Sequence, residues 1–241
     1  MSPSSVGIST ITRLPAAPPG SPRRVHAAIA GVSGALFALL TVAVVAHTTG
    51  HVDRDLIGVV RDWASPIVTA IMQTATLSSG TLAAPAALAI AFVLWRRLGR
   101  RPALHYAASC VTGLALDLVI KAAVQRPRPH GLSPLLTRAG WYAFPSGDAM
   151  FAAIAYGLGA VLLARTVRST SARAAVLAGG AAIVVLDGVA RVYLGAHWPT
   201  DVVGGVLAGT ATGALWLGAP GLVAAGCPLA EPGAREERVS R

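Results

Sequence analysis

Between Val25 and Leu217 the chain consists of apolar runs with arginines standing in the gaps between them. That alternation constrains the fold more than any other feature. A bilayer core is about 30 Å thick and a helix rises about 1.5 Å per residue, so a long apolar helix crosses it with its backbone polar groups bonded internally. Hydrophobic residues make up 54% of the chain and charged residues only 12%, more apolar surface than a soluble core of this length could hide. Six runs are read as spans: residues 25–46, 81–95, 103–121, 149–164, 174–189 and 201–217. The predicted fold is therefore all-α, a polytopic membrane bundle of six transmembrane helices.

The segments between the spans complete the organisation. Residues 1–24 are rich in Ser, Pro and Gly and carry Arg13, Arg23 and Arg24, a composition that predicts a disordered tail. Residues 25–218 form the membrane domain, and 219–241 a second polar tail. Residues 51–65 mix Asp53, Arg54, Asp55, Arg61 and Asp62 with Leu56, Ile57, Val59, Val60 and Trp63, a pattern suited to an amphipathic interfacial helix without catalytic duty. Residues 66–79 are read as a partly buried segment before the second span.

Of the 20 Lys and Arg residues, thirteen fall on the side of the termini and seven on the other. The positive-inside rule then places both termini in the cytoplasm of a multi-pass cell-membrane protein. The net charge of +10 does not point to nucleic acid, because the basic residues are scattered in small groups rather than gathered on one face. Cys110 and Cys227 fall at different levels and predict neither a disulfide nor a metal pair.

Three polar clusters lie on the outer side: 121–129, 144–148 and 191–201. Lys121, the only lysine in the chain, joins Arg128 and Arg191 as cations. Ser146 offers a hydroxyl, and Gly147 an unobstructed N–H ahead of a helix. Cations with oriented N–H groups at a helix start suit a tetrahedral phosphate. His197 and Asp201 are four apart with Pro199 at a helix start, so the carboxylate can lie beside the imidazole. A carboxylate holding one ring nitrogen leaves the other as nucleophile or base.

Lys121 followed by six residues and Arg128-Pro129, then Pro145-Ser146-Gly147, then Arg191 with five residues to His197 and three more to Asp201, resemble the tripartite signature of the type 2 phosphatidic acid phosphatases, relatives of the vanadium haloperoxidases. The resemblance covers roughly residues 110–210. It implies that His197 attacks phosphorus to form a phosphohistidine, that Asp201 orients it, and that Lys121, Arg128, Ser146, Gly147 and Arg191 hold the phosphoryl oxygens. It implies no metal and no cofactor. Two positions depart from the pattern. Ala190 replaces a serine that often precedes the third-motif arginine, and Asp148 replaces the histidine that protonates the leaving group. An unperturbed Asp titrates near about 3.9 and a His near about 6.5, so Asp148 is a weaker candidate acid.

Other readings compete at several positions. Asp148 also suits a helix start on dipole grounds. Asp117 with Lys121 and Asp187 with Arg191 are each spaced by four, as intrahelical ion pairs are. His26, His47, His51 and His105 make no metal-ligand spacing, and His130 follows the Arg-Pro pair on the outer loop. Trp141, Tyr142 and Phe144 are read as interfacial anchors. The function expected is hydrolysis of a lipid phosphate or diphosphate, such as phosphatidic acid or a prenyl diphosphate, at the outer leaflet. A phosphotransferase and a catalytically silent lipid-phosphate binder stay open beside it. Head group, tail and oligomeric state are not written in the motifs.

Overall fold

A computed structural model describes residues 22–129 and 142–219. Among the described residues every regular element is a helix: α1 (Pro22–Val45), α2 (Gly50–Arg61), α3 (Pro66–Ala75), α4 (Ala83–Leu98), α5 (Arg100–Val124), α6 (Gly147–Ala152), α7 (Gly159–Ala164), α8 (Thr170–Tyr193) and α9 (Pro199–Gly218). A π-helical segment, Ala153–Leu158, joins α6 to α7, so the two run on as one 18-residue helix. The fold is the all-α membrane architecture expected. Residues 1–21 and 220–241 of the tails, His130 and Trp141 lie outside the described residues, whereas Arg23 and Arg24, expected in the first tail, belong to α1.

Helix boundaries follow local chemistry. Ser65 and Ser169 each cap the next helix through the side-chain oxygen, accepting from Val68 N at 3.2 Å and Ala172 N at 3.4 Å. Pro66 and Pro199 stand at first-turn positions, where a missing N–H costs nothing. Gly99, with φ of 94°, makes the one-residue link between α4 and α5.

Among the described residues five helices are long and apolar enough to cross a bilayer: α1, α5, the α6–α7 unit, α8 and α9. The remaining expected span corresponds to α4, whose 16 residues reach about 24 Å, short of a full core thickness. Residues 51–65 and 66–79 hold the short helices α2 and α3. On α2, Val52, Leu56 and Val59 face outward while Asp53 and Ile57 are buried.

The α6–α7 unit sits at the centre, flanked by α8, α9, α5 and α4, while α1 packs along α9. Met150, Ile154, Leu158 and Leu162 on its inner face meet Leu94, Tyr106, Cys110 and Ala208. Close approach of α6 and α9 depends on small residues: a Cβ at Gly205 would fall 2.3 Å from the Ser146 carbonyl oxygen. Phe144 corrects the sequence reading. It is fully buried, stacked on Phe37 at 5.8 Å between centroids, and is a core residue rather than an interfacial anchor.

At one end of the bundle Gly218 of α9 lies against His26 of α1. The C-terminal ends of α5 and α8 and the N-terminal ends of α6 and α9 gather at the other. Both described ends of the chain therefore lie opposite the polar clusters.

Candidate active site

All eight residues singled out in the three clusters come together at that end. His197 follows α8 in a short loop and is 1% exposed. Its Nδ1 is 2.9 Å from the Ala143 carbonyl oxygen, and its Nε2 is 3.3 Å from an Arg128 guanidinium nitrogen. A carbonyl only accepts and a guanidinium only donates, so the two partners fix the tautomer with the proton on Nδ1 and the lone pair on Nε2. Burial pushes the His197 pKa below its ordinary value, with Arg128 acting the same way and Asp201 opposing. The ring is thus neutral and aimed.

Asp201, on the first turn of α9, does not hold the imidazole by a hydrogen bond: its Oδ2 is 3.6 Å from His197 Nδ1. That oxygen accepts from the Trp198 backbone N–H at 2.8 Å, and Oδ1 accepts from Arg126. Arg126 was counted only as a basic residue in the sequence, yet it bridges Asp201 and the fully buried Asp53 of α2, with 2.6 Å to Asp53 Oδ2. No local pattern marks this role, because its partners lie 73 and 75 residues away. The one available hint is a charged residue, Asp53, on the buried face of an amphipathic helix.

Ser146 is fully buried and caps α6, its hydroxyl oxygen 3.4 Å from Ala149 N, while its own N–H donates to the Asp201 carbonyl oxygen at 2.9 Å. Gly147 is needed for a reason invisible in the sequence: a Cβ there would fall 2.6 Å from the Asp117 carboxylate. Lys121 Nζ sits 2.8 Å from Asp117 Oδ2, and the other Asp117 oxygen has no hydrogen-bond partner. Arg191 is held on several sides. It pairs with Asp148 at 3.2 Å and donates to Ser79 Oγ at 2.7 Å and to the Thr76 carbonyl oxygen at 3.2 Å, with Asp187 at 3.8 Å. Ser79 also donates to Asp187. Arg128 donates to the Ala196 carbonyl oxygen at 2.7 Å. Burial lowers its pKa, though a guanidinium stays charged near neutrality.

Both i, i+4 pairs read in the sequence are therefore present, and they coexist with a shared site. Asp148 faces Arg191, which has no lone pair to receive a proton, so the oxygen on that side acts as an acceptor. From these groups a groove of about 630 Å³ runs into the bundle. Lys121, Arg128, Asp148 and His197 line its polar end; Ala87, Leu88 and Ala91 of α4 and Cys110, Val111 and Leu114 of α5 line the apolar remainder.

Comparison with known proteins agrees with this arrangement. The PAP2 superfamily profile matches residues 102–221. Phosphatidylglycerophosphatase B of Bacillus subtilis is 38% identical over 97 residues, 39% of this chain and 46% of that protein, so the match spans somewhat under half the relative's length. The crystal structure of a transmembrane PAP2-type phosphatidylglycerolphosphate phosphatase from Bacillus subtilis superposes with a TM-score of 0.71 at 25% identity, covering 78% of this chain and 94% of that one. Aquifex aeolicus LpxE shares the fold, with a TM-score of 0.50 at 23% identity over 68% of this chain and 93% of its own. Three spaced motifs that meet at one end of the helical bundle, matched in sequence and in architecture, show that the chain belongs to the type 2 phosphatidic acid phosphatase (PAP2) family.

Proposed function

We propose that the protein hydrolyses a lipid phosphate or diphosphate, with His197 as the nucleophile and a phosphohistidine as the intermediate. The observation that carries this reading is the His197 ring. It is buried and fixed as the neutral tautomer, with Nε2 facing Arg128 at the polar end of a groove whose other end is apolar. The named activities of the phosphatidylglycerophosphatase relatives support the same class of substrate.

In the first step the Nε2 lone pair forms a bond to phosphorus as the bond from phosphorus to the leaving oxygen breaks. Lys121, Arg128 and Arg191 take the charge on the phosphoryl oxygens. The ring gains positive charge, which Asp201 at 3.6 Å stabilises. Water then attacks phosphorus, the N–P bond breaks, and inorganic phosphate leaves with neutral His197 restored. In the resting site Asp117 and Asp148 occupy Lys121 and Arg191, so an arriving phosphate competes with two carboxylates for those cations.

The groove lies between α4 and α5, which supports entry of the head group from the membrane plane while the tail stays among apolar side chains. We place residues 25–218 in one membrane domain of six spans with both tails cytoplasmic and the site on the outer face. α4 completes the count. It starts beside Ser79, which touches Arg191, and joins α5 at Gly99, so it travels between the same two ends of the bundle as α5.

Pairing of Asp148 with Arg191 favours diphosphate substrates, because a phosphate leaving group needs less protonation than an alkoxide. Purified protein should release phosphate from a prenyl diphosphate faster than from phosphatidic acid, and Asp148→His should narrow the gap by improving the monoester. His197→Ala should abolish release from both while the protein stays folded. Turnover retained in His197→Ala would overturn the mechanism. Wild-type binding of these lipids without release would identify a silent binder instead.

A further inference from the structure

Helix α2, which carries none of the three motifs, is tied by hydrogen bonds to the groups around His197. We propose that Asp53 and Arg126 form a positioning unit for His197: Asp53 on α2 seats Arg126 and caps α9, and Arg126 holds both groups that flank the imidazole. The proposal rests on the reading of His197 as the nucleophile.

Asp53 and Asp201 are both fully buried, and the Arg126 guanidinium bridges them, with one nitrogen on each. The same guanidinium donates to Thr200 Oγ1 at 2.8 Å and to Thr49 Oγ1 at 3.2 Å. Asp53 completes the circuit. Its Oδ1 accepts the Thr200 backbone N–H at 2.9 Å and its Oδ2 the Thr200 hydroxyl at 2.9 Å. A first-turn N–H of α9, which has no partner within its own helix, is thus satisfied by a carboxylate 147 residues away.

Arg126 reaches the imidazole by two routes. Through its side chain it draws Asp201 Oδ1, leaving Oδ2 on the Trp198 N–H and 3.6 Å from His197 Nδ1. Through its backbone carbonyl it accepts the Ala143 N–H at 2.8 Å, and the Ala143 carbonyl is what Nδ1 bonds. The ring is therefore oriented by a neutral carbonyl, with a guanidinium muting the charge of the adjacent carboxylate. The charged groups that face His197 are Asp201 on α9, Arg128 after α5 and Asp148 on α6. Removing the Arg126 guanidinium changes the first of these while leaving the other two in place.

The test uses the full chain in mixed micelles with a prenyl diphosphate as probe. Arg126→Gln unmutes Asp201, so the acid limb of kcat/KM should move to higher pH by about one unit as His197 becomes easier to protonate. Its kcat should fall about 100-fold with KM little changed, as for a misplaced reacting group. Arg126→Lys keeps a charge without the fork and should fall between Arg126→Gln and wild type. Asp53→Asn retains an oxygen for the Thr200 N–H, so it should fold normally yet lose kcat. Combined with Arg126→Gln it should cost little more than Arg126→Gln alone, because both act along one path. Losses that merely track the folded fraction, an unmoved acid limb, or fully additive effects would overturn the proposal. If Arg126→Gln yields no folded protein, Arg126→Lys and Asp53→Asn decide by the same readouts. Turnover retained in a His197→Ala control would instead fail the underlying assignment of the nucleophile.

Discussion

His197 and Gly147 show how single residues are constrained by what surrounds them. Burial holds the His197 pKa below the ordinary imidazole value of about 6.5, which favours the neutral ring that the proposed nucleophile needs. The linked stability is present in full above the unfolded value and is lost as pH falls through the folded one. The acid limb of kcat/KM should therefore lie below pH 6.5, roughly where a free imidazole would titrate, and a limb at or above that value would contradict the buried, neutral ring. At Gly147 the constraint is steric. Gly147→Ala drives a methyl to 2.6 Å from the Asp117 carboxylate, which also holds Lys121. Overpacking of this kind costs about 1–3 kcal/mol, so turnover and thermal stability should both fall. Gly147→Ala combined with Asp117→Ser should recover stability by making room. No recovery would place the clash elsewhere.

At the scale of elements, the connections between helices act as parts of the site. The turn between α3 and α4 supplies Ser79 and the Thr76 carbonyl to Arg191, and its Ser78 carbonyl accepts the Tyr156 hydroxyl of the π-helical segment. Arg191 Nε and Asp187 Oδ2 have no hydrogen-bond partner, so this clamp has little redundancy. Ser79→Ala removes the 2.7 Å bond to Arg191 and the donor to Asp187, leaving more buried polar atoms unsatisfied. The expected cost is about 1–3 kcal/mol of stability, together with reduced turnover. Ser78→Ala is the matched control. Its hydroxyl reaches Asp187 only at 3.5 Å, and its backbone carbonyl survives the change, so it should behave nearly as wild type. Equal losses in the two variants would mean that the turn contributes packing alone.

For the whole molecule, the telling feature is that the polar clusters gather at one end and both described chain ends lie at the other. The distribution of basic residues is the ground on which we propose that the chain-end side is cytoplasmic. Thr48, exposed between α1 and α2 at the site end, gives a reporter. With Cys110 and Cys227 replaced, Thr48→Cys should react with a membrane-impermeant maleimide in intact cells. Labelling only after permeabilisation would invert the orientation.

Local information sufficed for much of this protein. Apolar run length marked the helices, Pro199 marked a start, and motif spacing put Lys121, Arg191 and Asp201 near helix ends. Each of these signals is contained within a few turns of helix, where hydropathy and capping act. Tertiary structure alone decided which ends meet. It turned Phe144 inward onto Phe37, set Asp117 against Gly147, gave Arg191 to Ser79, and made Arg126 the main partner of Asp201 in place of a hydrogen bond from His197. These outcomes depend on buried charges finding opposite charges across helices. A carboxylate left alone in such surroundings is costly, and the partner that relieves it can lie anywhere in the chain.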